Sequence, residues 1–215
     1  MQKVWKNYTL GEEICNAITH GIGAGLSVAA LVTMIVRAAL HSNGYGLASA
    51  IIFGVSLVIL YTMSTLYHAL VPDKAKAVFR IFDHATIFIL IAGTYTPYLL
   101  VTLRPHDPIL SWVLFGILWG LTAVGIVFDS IMLDKFHKIE LCMFVVMGWC
   151  ILVRSSMLMA HLAPAGVALL FAGGVAYTVG ILFFLLKVRY MHSVWHLFVL
   201  AGSVLQYFSV ILYVL

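Results

Sequence analysis

His192 and His196 stand four apart, in the run His192-Ser-Val-Trp-His196. On a helix this spacing puts both imidazoles on one face, with about 5–6 Å between Cβ atoms. HExxH metalloenzymes present two nitrogens to one ion in this way, although here Ser-Val-Trp replaces the interior that carries the glutamate. Alone, such a pair reads equally as two interfacial histidines bound to nothing. His68 is the candidate third nitrogen. Ser64 lies one turn earlier on the same face, so its hydroxyl meets the same site, and Asp83 brings a carboxylate from the next helix. Three imidazoles with a fourth position left to water make the ligand set of a catalytic zinc site rather than a closed structural one. Imidazole suits Zn2+, with Fe, Ni and Cu as alternatives on ligand type. Zinc lowers the pKa of water from about 15.7 to about 7 and polarises carbonyls. Asp83 is then a general base or a hydrogen-bond acceptor that orients the water. Ser64 holds the water or a developing oxyanion. His20 and Asn16, four apart, brace the ligands from behind. Glu13 joins them, although Glu12 and Glu13 read equally as ordinary helix-start charges.

The elements that position these groups must lie in a membrane. Of 215 residues, 63% are hydrophobic and 9% charged, and the mean hydropathy is +1.08. Soluble domains carry about 25% charged residues. A soluble enzyme, a nucleic-acid binder and a disordered chain are excluded. The pI near 9.0 rests on 12 Lys and Arg, with no stretch dense enough to track phosphates. The charges separate charge-free runs at 14–36, 38–72, 84–103, 108–128, 141–153, 155–186 and 190–215. All but 141–153 exceed the ~18 residues that suggest a spanning helix. That one becomes long enough if Arg154 snorkels outward. The expected fold is an all-α membrane protein, one domain over 1–215: a seven-transmembrane helix bundle with spans near 17–40, 46–71, 81–103, 109–131, 139–160, 164–186 and 192–215.

Sign then sets orientation. Lys3, Lys6, Lys74, Lys76, Arg80, Lys135, Lys138, Lys187 and Arg189 fall on one side of such a bundle, against Arg37, Arg104 and Arg154 on the other. The positive-inside rule puts the N-terminus in the cytoplasm and the C-terminus outside. No cleavable signal peptide is expected, and Cys15, Cys142 and Cys150 read as small hydrophobes rather than a disulfide framework. With this topology, Glu13, Asn16 and His20, then Ser64 and His68, then Asp83, then His192 and His196 all reach the cytoplasmic leaflet. Polar groups at membrane depth are expensive and default to function. The convergence depends on odd–even counting: without the fifth span, His192 and His196 would fall on the opposite side. His84 reads as a packing residue facing about 100° away from Asp83. His137 reads as a solvated loop residue, and Asp129 and Asp134 as interfacial. Pro97 is expected to kink its helix, with Thr94 or Thr96 answering the freed carbonyl.

Five segments together resemble the hemolysin III family, the bacterial branch of the progestin and adipoQ receptor family and a distant relative of the alkaline ceramidases. They are Glu13-Ile-Cys-Asn16-Ala-Ile-Thr-His20-Gly-Ile-Gly, Ser64-Thr-Leu-Tyr-His68, Phe82-Asp83-His84, Ala92-Gly-Thr-Tyr-Thr-Pro97 and His192-Ser-Val-Trp-His196. The resemblance implies seven helices with the N-terminus inside. It also implies zinc held by His68, His192 and His196, with Ser64 and Asp83 as the motif serine and aspartate. The short stretch before the first span leaves no room for a sizeable ligand-sensing domain, which weighs against a receptor. The leading expectation is a zinc-dependent hydrolase of a lipid amide or ester, acting in membrane-lipid homeostasis, multi-pass in the bacterial inner (plasma) membrane. Its partner is membrane lipid, not nucleic acid, and its oligomeric state is open. The alternative is a metal-stabilised sensor without turnover. A transporter ranks last, because the outer halves of the spans are nearly bare of polar groups.

Overall fold

The computed structural model describes residues 8–215. Lys3 and Lys6, used in the charge count, lie outside them. The helices are α1 (Leu10–His41), α2 (Gly44–Ala69), α3 (Asp73–Pro97), α4 (Pro108–Gly148), α5 (Ser155–His161), α6 (Pro164–Leu185) and α7 (Met191–Tyr213). A wide π turn, Tyr98–Leu103, prolongs α3, and a 3-10 turn, Cys150–Arg154, joins α4 to α5.

The expectation of seven separate spans is corrected here. Among the described residues six helical runs are long and apolar enough to cross a membrane, and the fourth is the whole of Pro108–His161. The expected spans at 109–131 and 139–160 are not divided by a loop. Helix continues through the charged stretch between them, interrupted only at Met132, whose φ of −149° and ψ of 41° are non-helical. The run doubles back at this kink. Asp107, just before it, accepts a hydrogen bond from Arg154 at 3.1 Å, and the His106 and His161 rings stack with centroids 3.4 Å apart. The chain thus returns to the end from which the run departed.

Lipid inverts the usual pattern of a helix. Without water there is no hydrophobic drive between helices, so their contacts are made by small and polar residues. On α1, Glu12, Asn16, His20, Gly23 and Ser27 form the buried stripe, in steps of three or four. Ile14, Ile18, Ile22, Val32 and Val36 are exposed on the opposite side. α7 repeats the arrangement with Ser193, His196, Gly202, Ser203, Gln206 and Ser209 inside. α3 is the most enclosed run. It packs between α2 and α4, while α1 packs on α2 and α7, and α7 on α6.

Pro97 keeps helical φ and ψ, and the distortion falls after it, in the π turn. Thr94 and Thr96 donate to the carbonyls of Leu90 and Ala92. The carbonyl that Pro97 frees, four residues earlier, belongs to Gly93, so the threonines do not answer it.

Candidate metal centre

Four helix ends meet at one end of the bundle. Thr9 starts α1 with a reciprocal cap: Glu12 N–H donates to Thr9 Oγ1 at 3.4 Å, and Thr9 N–H donates to Glu12 Oε2 at 2.8 Å. The other oxygen of Glu12 accepts the N–H of Tyr190 at 3.0 Å. Tyr190 has φ of 64°, the left-handed region, and turns the chain into α7 two residues before His192. The α1 cap thus also positions the start of α7.

His68, His192 and His196 each offer a ring nitrogen, and these atoms all lie within 4.8 Å of one another. His68 and His196 are buried, and His192 partly so. The neighbours set which nitrogen each ring offers. His68 Nδ1–H donates to Glu13 Oε2 at 2.7 Å, while its buried Nε2 has no partner among the described residues. Glu13 Oε1 in turn receives Lys76 Nζ at 2.7 Å, and Lys76 also donates to the Tyr67 carbonyl at 3.0 Å. A carboxylate behind a ligating imidazole fixes its tautomer and raises its basicity. Thr19, on α1, spends its own proton on the carbonyl of Cys15 or Asn16. His196 Nδ1–H therefore donates to Thr19 Oγ1 at 3.1 Å and to the Asn16 carbonyl at 3.3 Å. His196 Nε2 is left bare, 3.1 Å from His192 Nε2.

That arrangement fits a cation. Two nitrogens around one tetrahedral zinc sit about 3.3 Å apart, given a Zn–N distance of about 2.0–2.1 Å. Without a proton or a cation between them, two lone pairs at that distance repel. The orphaned Nε2 of His68 is the third donor. Asn16 braces the set through its carbonyl and by accepting from Ser193 Oγ. His20 braces it by stacking on His196 at a centroid distance of 3.5 Å, with both its nitrogens unpartnered. Tyr8 covers the site, its ring 5.0 Å from that of His192, and burial pushes its phenol well above the ordinary value.

Asp83, His192 and His196 line a cavity of about 110 Å³, whose lining also includes Leu90, Tyr95, Phe144 and Val199. Ser64 is buried with an unpartnered hydroxyl, but neither it nor His68 lines this cavity.

Several participants escaped sequence reasoning. Lys76 served only as an orientation charge, yet it neutralises Glu13. His84, read as a packing residue, is 2.8 Å from Glu140 Oε1, and His137 is 3.2 Å from Glu140 Oε2. These three make a second cluster, within the same 4.8 Å limit, and they line the same cavity. Asp129 is 1% exposed rather than interfacial. A signal for part of the cluster was available: Leu133, Phe136 and Glu140 recur in steps of three and four, an inward stripe of the returning arm, with Asp129 buried on the departing arm just before the Met132 kink. The chain thus holds two membrane-embedded clusters of His and Glu capable of binding a metal ion.

Comparison with known proteins agrees with this architecture. Residues 8–207 match the family described as Haemolysin-III related. Hemolysin-3 of Bacillus cereus is 45% identical over 95% of this chain and 92% of its own length. The Hemolysin-3 homolog of Bacillus subtilis (strain 168) is 43% identical over 96% of each. The human Monocyte to macrophage differentiation factor is 29% identical over 94% of this chain and 84% of its own length. With the apolar helical bundle, these relatives make the chain a multi-pass protein of the bacterial inner membrane, in contact with lipid. The chain belongs to the hemolysin III family.

Proposed function

We propose that this protein is a zinc-dependent hydrolase of a lipid amide or ester, serving membrane-lipid homeostasis. The observation that carries the reading is the meeting of three imidazole nitrogens, with tautomers set by Glu13 and Asn16, beside a cavity walled by apolar side chains. A zinc ion held by His68, His192 and His196 supplies an acidified water and polarises a carbonyl. The chain's own residues do the rest. Asp83 accepts a proton at the cavity wall. Ser64, with its hydroxyl unpartnered, donates to negative charge developing on the substrate. Leu90, Tyr95, Phe144 and Val199 hold an acyl chain and exclude water. The motif resemblance to the progestin and adipoQ receptor family and, distantly, to the alkaline ceramidases supports the same chemistry.

A second reading is a metal-stabilised sensor without turnover. It is favoured by the ties that gather α1, α2, α3 and α7 at one point: Glu13 to His68 and Lys76, and Glu12 to Tyr190.

Two measurements separate them. Metal analysis of purified protein is expected to find zinc in the wild type and less of it, by one ion per chain, in His192→Ala and His196→Ala. Equal zinc in all three refutes the site. Incubation with bacterial lipid extract is expected to release fatty acid, and Asp83→Asn to abolish release while keeping zinc. Zinc without release from the wild type selects the sensor.

A further inference from the structure

We propose that His84, His137 and Glu140 form a second divalent-cation site on the same cavity as the first. Nothing in the hydrolase reading requires it, and it stands on separate residues. Glu140, on α4 beyond the Met132 kink, is 0% exposed. Each of its oxygens faces a different imidazole nitrogen, His84 Nδ1 at 2.8 Å and His137 Nδ1 at 3.2 Å. His84 comes from α3, whereas His137 and Glu140 are three apart on α4, so the site ties the returning arm of the long run to the central helix.

An ordinary ion-pair triad leaves one group unexplained. Asp129 is buried, both its carboxylate oxygens lack a partner among the described residues, and it interacts electrostatically with Glu140 and His84. Two enclosed carboxylates thus share one region with only imidazoles beside them. The nearby cations are engaged elsewhere or point outward. Lys76 pairs with Glu13, Arg80 pairs with Asp134 at 2.7 Å, and Lys135 and Lys138 are exposed. An uncompensated buried charge is costly, and a dication bound at Glu140 offsets both carboxylates. Two imidazoles and a carboxylate make a harder donor set than three imidazoles, and suit Mn2+ or Fe2+ as well as Zn2+. His192 and His196 line the same cavity as His84, His137 and Glu140, and Asp83 adjoins His84 in sequence. The cavity then borders two cation sites, which suits a ligand with negative or carbonyl oxygens at two points.

The test is metal stoichiometry of the full-length protein in detergent, stripped with chelator and reloaded with Zn2+ or with Mn2+. Two zinc ions per chain are expected for the wild type, and one each for Glu140→Gln, His137→Ala and His192→Ala. The double variant Glu140→Gln with His192→Ala is expected to bind none. Mn2+ is expected to bind the wild type and His192→Ala, but not Glu140→Gln. His137 is half-exposed, so its variant reports on the site even where loss of the Glu140 charge disturbs folding. Glu140→Gln and His137→Ala variants that keep the wild-type ion content, whether one or two per chain, overturn the proposal. If instead only His192→Ala keeps the wild-type content, the first site fails and the second stands.

Discussion

Glu13 Oε2 accepts the Nδ1–H of His68 at 2.7 Å, across 55 residues of sequence. A residue in the first turn of α1 thereby determines which nitrogen a residue near the end of α2 offers. Because Lys76 holds the other oxygen, Glu13 is charged and fixed before any metal arrives. Glu13→Gln keeps an oxygen acceptor and the shape, but it loses the charge behind the imidazole. Zinc affinity is expected to fall about 10- to 100-fold, the range for partners of ligating histidines. Competition with a zinc-binding dye, in folded protein, measures this. Glu13→Ala also leaves Lys76 and His68 without their partner and is expected to cost about 3–5 kcal/mol of stability. Unchanged zinc affinity in Glu13→Gln would reduce Glu13 to a structural ion pair.

Tyr190 is a second lever on the same site. Its left-handed backbone, φ 64°, is one that side chains adopt at a cost of about 1–2 kcal/mol. Glycine visits this region freely, and β-branched residues least of all. Tyr190→Gly is expected to hold or raise the thermal unfolding temperature in detergent, whereas Tyr190→Val lowers it. Glu12→Ala removes the reciprocal half of the α1 cap, the acceptor for Thr9 N–H, and the acceptor for Tyr190 N–H, while Thr9 Oγ1 still accepts the backbone N–H at position 12. It is expected to weaken zinc binding as well, because His192 follows two residues later. A Glu12→Ala variant that loses stability but binds zinc as the wild type does would separate the cap from the site.

Charge spacing made the membrane class legible, since long charge-free runs have few alternatives. It also made the meeting of His68, His192 and His196 legible, because helix ends are marked by the charges that flank them. The helix count was not, and the reason is physical. Asp134, Lys135, His137 and Lys138 look like a loop, but charged residues continue a helix readily when they lie outside the apolar layer, and a single non-helical residue, Met132, supplies the turn. The Glu140 cluster was hidden for a related reason. Glu140 and its neighbour His137 belong to the charged connection in sequence, but Glu140 lies on the inward stripe of the returning arm, and only the kink brings the pair to His84.

Close approach of α1 to α2 rests on Gly23. A Cβ there would lie 2.5 Å from Cδ1 of Tyr61, whose ring packs edge-on against His20 and whose hydroxyl donates to Ser203 at 2.7 Å. Gly23→Ala must displace that ring or separate the helices, and overpacking of this kind costs about 1–3 kcal/mol. Displacing the ring also removes the edge contact behind His20, the histidine stacked on His196. Gly23→Ala is therefore expected to lower the unfolding temperature in detergent and to loosen zinc binding together. Tyr61→Leu loses the ring and one hydrogen bond to Ser203, while Tyr177 still reaches Ser203 at 2.8 Å. In the double variant the added methyl meets a smaller neighbour, so its cost is expected to be less than the sum of the two single costs. Strict additivity would show that the helices, rather than the ring, give way, because independent sites add and contacting ones do not.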